Sequence, residues 1–413
     1  MINYSTLKNG LQIITEHLPN VQTVALNWIL PAGVVTNTFD GDSAVLAEWV
    51  QRGTQQHNSK ELQAAIDLLG VQKEVSCGKE FFSVSAVLLK NKLSEAMPLL
   101  GSILLNPSLP ETDLQACKNL CLQTISSLKD DLAGRVSIKL NQEHFPSPYN
   151  RSGYGDAKCI ENATAKRLFK TYQETFVPNG AMFTCAGNVN HRDVVKIIEK
   201  MTSGWVGSPA NQTETKEVAS RGAHWIEHDS SQVHIGIALD APNLTNPKSL
   251  HEAIAISILG GATSGRLFTQ VRQKRSLCYS VAARYARAKE RAVVRIYAGT
   301  TPERARETID VCLQELWNLR KGITQNEFNR ACLRMKSRIV MQGESTSARS
   351  RALWADYYAL GKSRSLAERL DEIDQIDLTS VNDWLQERKF GKLTLVTLGP
   401  DELNFSPNQL HDD

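Results

Sequence analysis

The same order of elements is written twice along this chain. The segment 13–30 resembles 225–239, with the short period of a strand in both. LPETDLQAC at 109–117 resembles ITQNEFNRA at 323–331, an offset near 214 residues. The strand and helix of 81–105 answer those of 292–316, and TLVTLGP at 394–400 answers MFTCAGN at 182–188. A repeat of this length duplicates a whole domain. A chain of 413 residues is also too long for one ordinary core. The expected class is therefore α+β, a tandem duplication of one α/β unit. Each unit is an antiparallel-rich sheet with helices packed on one face. The expected boundaries are an N-terminal domain over 1–206, a linker over 207–222 and a C-terminal domain over 223–413. The linker, GSPANQTETKEVASRG, is polar with Val218 as its one larger apolar residue.

Composition removes several classes of function. A formal net charge of +3 is too small to suggest a nucleic-acid binder. No apolar run approaches the roughly 18 residues of a membrane span. The start, MINYSTLKNGLQII, lacks a basic stretch followed by an apolar core, so no secretory signal is expected. The eight cysteines form no CxxC pair; Cys117 and Cys121 lie four apart in a helical pattern with no accompanying ligand types. Scattered thiols of this kind fit a reducing cytoplasm.

Local patterns place the elements. Leu11–Thr15 and Thr23–Leu30 read as strands. Asp40–Val50 reads as a helix with Asp40 or Asp42 as its N-cap. Lys60–Leu69 reads as a second helix closed by Gly70. The stretch Ile258 to Tyr285, ILGGATSGRLFTQVRQKRSLCYSVAARY, holds the chemistry. Leu267, Phe268 and Val271 share one helix face, with Arg272 at its edge. Ser276 breaks the helix, and Tyr279, Val281, Ala283 and Tyr285 alternate along one side of a strand. A corner of this kind can bring a guanidinium and a phenol to one point, where they would hold a carbonyl oxygen as it becomes an oxyanion. The alternative is an exposed helix Arg and a Tyr packed in a core. Between Ser264 and Ala298 stand seven Arg and two Lys against Glu290 alone, which reads either as a positive wall facing substrate or as a solvated surface. No aromatic interleaving of the kind that stacks bases accompanies those charges. The Gly260-Gly261-Ala262-Thr263-Ser264-Gly265 loop lacks the Lys-Ser/Thr of a phosphate loop. Gly260, Gly261 and Gly265 are read as substrate-contacting, with tight packing as the alternative.

The duplicated unit resembles the insulinase/pitrilysin family of zinc metallopeptidases, in its short-subunit branch, which includes the mitochondrial processing peptidase and bacterial heterodimers. The resemblance covers nearly the whole chain. TLKNGLQIITEHLPN matches the family's first strands, and RGT (52–54) with ELQAAIDLLG (61–70) matches the segment after its zinc helix. LGGATSGRLFTQVRQKRSLCYSV is similar to the family's LGGG-small-SSRLF-x-x-x-R-x-x-x-G-L-x-Y-S-V, with Ser276 where Gly is common.

The resemblance implies a helix bearing H-x-x-E-H, whose two His bind zinc while the Glu activates water. Counted back from RGT, that motif falls on AVLAE. Ala44 stands at the first His, Ala47 at the catalytic Glu and Glu48 at the second His. The third ligand should fall near Gln123–Ile125, yet no Glu occurs between Glu111 and Glu143. A literal HWIEH at 224–228 aligns through Glu227-His228 with Glu16-His17 in a strand of the first unit. On a strand, residues four apart are separated by about 13 Å, too far to share one zinc. The resemblance leaves an Arg and a Tyr seven residues apart, Arg272 and Tyr279, which in the family complete the active site from the C-terminal half. It implies a non-catalytic subunit with no metal or cofactor of its own, partnered in a heterodimer by a zinc-bearing subunit and acting on a peptide substrate. It implies no nucleic acid and no membrane. The alternative is a scaffold like the core proteins of respiratory complexes.

Overall fold

The computed structural model of the protein describes residues 1–209 and 218–412. The strands in chain order are β1 (Ile2–Thr6), β2 (Gln12–His17), β3 (Thr23–Leu30), β4 (Gln72–Cys77), β5 (Phe82–Leu89), β6 (Met182–Gly187), β7 (Ala223–Glu227), β8 (Val233–Asp240), β9 (Cys278–Arg287), β10 (Ala292–Thr300), β11 (Gly391–Lys392), β12 (Thr394–Gly399) and β13 (His411–Asp412). The helices are α1 (Asp42–Trp49), α2 (Ser59–Leu68), α3 (Leu93–Leu105), α4 (Glu111–Ser127), α5 (Leu132–His144), α6 (Ala157–Glu161), α7 (Ala165–Thr175), α8 (His191–Met201), α9 (Ser249–Gly260), α10 (Pro302–Trp317), α11 (Gln325–Gly343), α12 (Thr346–Leu360), α13 (Leu366–Asp374) and α14 (Leu378–Glu387).

These elements form two compact units, each gathered from three stretches of chain. The first comprises Met1–Ser127, Arg151–Thr215 and Met341–Ser365; the second comprises Leu128–Asn150, Lys216–Val340 and Leu366–Asp413. The first sheet runs β1-β2-β6-β3-β5-β4 and the second β7-β12-β8-β10-β9. In each, one parallel pair (β2 with β6, β7 with β12) joins an otherwise antiparallel ladder. The orders agree strand for strand once β1 is set aside, as a duplicated unit requires. Half of the expected linker, 207–222, falls on residues 210–217, which lie outside the described residues.

The central strands β3, β6, β8 and β12 are buried along nearly their whole length because both faces of the sheet are covered there. On β2, Ile13 enters the main core of the first unit with Trp28, Met97 and Leu100. Its neighbour Ile14 points the other way, to Ala186 and to Leu353 of α12. The second unit repeats this arrangement. Ile235, Ile237 and Ile296 pack with Ile254 and Leu259 of α9 on one face. Ala238, Val396 and Leu398 meet Val136 and Leu140 of α5 on the other. The α+β architecture therefore holds, with one further helix on the second face of each sheet. α5 and α12 are the same element of the repeat, since Thr346 lies 346 − 132 = 214 residues after Leu132. Each is a member of the unit built mainly from the other half of the sequence.

One local expectation is corrected. Neither Asp40 nor Asp42 caps α1; the N-cap is Gly41, at φ 108°, with no side-chain cap. Asp42 turns inward instead and accepts hydrogen bonds from Arg167 Nη2 at 2.8 Å and Thr171 Oγ1 at 3.0 Å. The charge-assisted bonds from the guanidinium and the hydroxyl compensate the carboxylate for the water it loses on burial.

Candidate functional site

The corner from α9 to β9 lies wholly within the second unit. At the end of α9, a Cβ on Gly260 would stand 2.3 Å from Ala283 N, so only hydrogen fits where the helix presses on β9. Gly261 is exposed and Gly265 buried, their own close contacts being to Ser257 O and Ala262 O of the same turn. These contacts account for the glycines by packing.

The expected plain helix is wound more widely than an α-helix. Phe268–Gln273 is a π-helical turn, with Lys274 N donating to Thr269 O at 3.0 Å. Such turns are uncommon and concentrate at functional sites. Leu267 and Val271 anchor it in the core, as the spacing implies. Ser276 ends it at φ 52°, a left-handed conformation that costs energy for any residue with a Cβ. Arg304 Nη1 donates to Ser276 O at 2.6 Å, and Thr300 Oγ1 to Leu277 O, fixing the turn.

β9 then opens on a bulge. Thr300 pairs with Cys278 and Gly299 with Ser280, which leaves Tyr279 as the extra residue. The expectation that Tyr279 shares one side with Val281, Ala283 and Tyr285 is corrected here. The extra residue shifts the alternation, so Cys278 takes the inward position and Tyr279 is 84% exposed. The bulge also does what the sequence reading asked of the corner. It turns the Tyr279 ring toward Arg272, whose guanidinium carbon lies 5.6 Å from the ring centroid and 5.0 Å from that of Phe268. Those ring faces hold the guanidinium in place. Among the described residues, neither the guanidinium nor the phenol has a hydrogen-bond or ion-pair partner, so their N–H and O–H donors remain available. Three backbone irregularities within twelve residues, 268–279, converge on this pair.

Ala44, Ala47 and Glu48 share one half-buried face of α1 in the first unit. Two methyl groups there offer no electron pair. Burial holds Lys73 below its usual value against the pull of the Glu48 charge, and Arg52 is raised chiefly by its bond with Cys117, with Glu48 adding to it. Lys73 Nζ in turn donates to Gln51 Oε1 at 2.5 Å. On α4, where a third ligand would be sought, Cys121 is pushed up to about 12 by burial, helped by the Glu48 charge, and so remains a thiol at neutral pH. Among the described residues, no group of three or more His, Cys, Asp or Glu is placed to hold a metal ion.

HWIEH lies on β7 and the residue after it, in parallel register with Val396 to Gly399. Its histidines serve separate partners. His224 Nε2 lies 2.7 Å from Ser220 O, and His228 Nδ1 lies 3.4 Å from Arg135 Nη1. The motif's spacing belongs to a helix, and the strand spends it on two different neighbours.

Sequence reasoning counted Arg266 only within the basic run, and missed its role. Its guanidinium makes a two-pronged pair with Glu327 of α11, Nε to Oε1 at 2.7 Å and Nη2 to Oε2 at 2.9 Å, and also donates to Gly322 O at 2.9 Å. This clamps the start of the π-helical turn to α11. The repeat carries a signal, since Glu327 in ITQNEFNRA stands where LPETDLQAC has the acidic Asp113. Burial acts against the Glu327 carboxylate, but the bonds from Arg266 and Thr324 outweigh it and hold the group at about 2. A depressed carboxyl contributes stability that is present above its unfolded value and lost as pH falls through the folded one. We expect Glu327→Gln to destabilise the protein by up to roughly 3 kcal/mol at pH 7. That difference should shrink between pH 5 and pH 2, as urea unfolding of both proteins across that range would show. A difference independent of pH would mean the clamp is not ionic.

Residues 162–335 match the domain family described as the Peptidase M16 inactive domain. An uncharacterized zinc protease of Rickettsia bellii is 24% identical over 97% of this chain and 98% of its own length. The Bacillus subtilis zinc protease YmxG is 23% identical over 97% of this chain and 98% of its own length. A crystal structure of a peptidase M16 inactive domain from Pseudomonas fluorescens superposes with a TM-score of 0.87 at 19% identity, covering 98% of this chain and 99% of that one. A protease from Helicobacter pylori gives 0.88 at 19% identity, over 97% and 100%. The fold is that of the M16 proteins, and along nearly its whole length the chain is similar to proteins described as zinc proteases. Its match to the M16 family is to the inactive domain, which bears out the resemblance carried by the 259–281 motif.

Proposed function

We propose that this chain is the non-catalytic subunit of a heterodimeric zinc metallopeptidase. It supplies substrate-binding surface and the Arg272–Tyr279 donor pair, while a zinc-bearing partner of the same family supplies the metal and the activated water. The observation that carries the reading is the corner itself. A π-helical turn, a left-handed serine and a β-bulge set a guanidinium beside an exposed phenol with their donors unspent. A scaffold has no chemical need for that arrangement. The match to an inactive M16 domain and the alanines at 44 and 47 support a subunit without its own metal centre.

In the mechanism this implies, the carbonyl of the scissile bond gains negative charge as water adds. The Arg272 guanidinium supplies a fixed positive charge and planar donors, and the Tyr279 hydroxyl a neutral donor, where that charge develops. The chain works in the cytoplasm in this reading; no helix among the described residues is long and apolar enough to cross a membrane.

The test is reconstitution. The purified chain alone should hold no stoichiometric zinc by metal analysis and cleave no peptide. Mixed with a chain of similar length bearing H-x-x-E-H, sought first in the adjacent reading frame, it should raise peptidase activity above that of the partner alone. One tight zinc per chain in the isolated protein would sink the proposal. A complex whose activity is unchanged by this chain would favour the scaffold.

A further inference from the structure

The outward face of β9 and β10 carries charges that the Arg272–Tyr279 corner does not use. β9 is the edge strand of its sheet, paired on one side by β10. α5 packs over β8 and β12 and reaches Val293 of β10. Beyond it, Ser280 and Arg284 of β9 are exposed and Ala282 is half-buried. The antiparallel register sets Arg284 opposite Arg295, Ala282 opposite Tyr297 and Ser280 opposite Gly299. Like charges directly opposite each other on a sheet repel and cost stability. Among the described residues, neither arginine has a carboxylate within ion-pair distance. Arg295 Nη2 reaches a neutral acceptor, Asn141 Oδ1, at 3.2 Å. Glu290, the one acid in the run from Ser264 to Ala298, lies in the hairpin turn beyond the paired residues. The two guanidiniums thus share a counter-charge deficit on a face that Ser280, Ala282, Tyr297 and Gly299 complete.

We propose that this face binds an extended peptide through an acidic side chain, whose carboxylate sits between Arg284 and Arg295. The proposal rests on the reading of Arg272 and Tyr279 as carbonyl-directed donors, and gives that reading a substrate class. A peptide laid along the free edge of β9 makes main-chain hydrogen bonds as an added strand. Its residue opposite Arg284 then lies about 5 Å away on the same face, where a guanidinium fork matches a carboxylate. The bulge sends Tyr279 outward beside Ser280, onto the face that carries Arg284. At about 3.3 Å per residue, Arg284 stands roughly 16 Å along the strand from Tyr279. The acidic residue is therefore placed about five positions from the bond attacked.

The chain without a partner suffices for the first test. Fluorescein-labelled twelve-residue peptides of Ser, Thr and Ala, carrying one Glu, Gln or Lys, are titrated by anisotropy at low and high salt. The Glu peptide should bind about tenfold tighter than the Gln peptide at low salt, and the gap should close at high salt. Arg284→Gln should erase the gap, and Arg284→Glu should transfer the preference to the Lys peptide. Arg284 is exposed, so both variants are expected to fold, and circular dichroism checks this. Equal binding of the Glu and Gln peptides by the wild-type chain overturns the proposal. So does an oligothymidylate that binds more tightly than the Glu peptide, which would assign the face to a different polyanion. Arg272→Ala and Tyr279→Phe should leave the Glu-to-Gln ratio intact. If those two variants keep full turnover in the heterodimer while the Glu preference stands, the donor reading fails and the subsite survives. If turnover falls but no Glu preference exists, the reverse holds.

Discussion

In the heterodimer with a zinc-bearing partner, Arg272→Ala and Tyr279→Phe should each lower turnover by about 10²–10³-fold, the usual effect of removing one preorganised oxyanion donor. The loss should appear in kcat more than in KM, because both donors interact most strongly once charge has developed on the carbonyl oxygen. Neither substitution should unfold the protein. Arg272 is exposed and the Tyr279 ring is 84% exposed, so no core depends on them. Arg272→Lys should restore activity only in part, since an ammonium lacks the planar fork and stacks less well over Phe268 and Tyr279. The double variant should lose less than the product of the single losses if both donors serve the same oxygen. Wild-type turnover in both single variants would make the corner structural and put the scaffold reading first.

The second large effect concerns stability and the helix received from the other half of the chain. Arg349 of α12 donates through Nε and Nη2 to the two carboxylate oxygens of Glu16 on β2, each at 2.7 Å. Both residues are buried, at 2% and 7% exposure. Arg349→Ala would leave the Glu16 charge uncompensated in a poorly solvated site, and should cost about 3–5 kcal/mol. That is a large share of the 5–15 kcal/mol typical of a folded domain. Glu16→Gln should cost less, because the amide is neutral and still accepts one hydrogen bond. Replacing both partners, as Glu16→Leu with Arg349→Met, should recover most of the loss, since the pair's attraction is set against the desolvation of two ions. Denaturant unfolding of the four proteins measures this. A double variant as unstable as Arg349→Ala would show that the ion pair contributes net stability beyond its own desolvation.

Much of this protein was legible from its sequence because the signals were local or repeated. The duplication could be read from the 214-residue offset, and the strand order of the second sheet duly repeats the first. Thr23–Leu30 appears as a strand with its expected bounds, and the helix expected over Lys60–Leu69 spans Ser59–Leu68, because period and punctuation are properties of neighbouring residues. The absence of ligand types at Ala44 and Ala47 was fixed by residue identity alone. Tertiary structure decided the rest. Local spacing does not tell which sheet receives α5 or α12: α12 buries Arg349, Ser350 and Asp356 beside Leu353, and each helix packs on the sheet assembled mainly from the other half. The wide turn at Phe268–Gln273 and the bulge at Tyr279 arise where helix, strand and the Arg266–Glu327 clamp must close on one another, and no run of residues spells that closure. The bulge in particular inverts a period-two expectation, placing Cys278 in the core and Tyr279 outside it. Arg272 and Tyr279 were named by their spacing. That they meet over a shared ring contact with free donors follows only from how the chain turns between them.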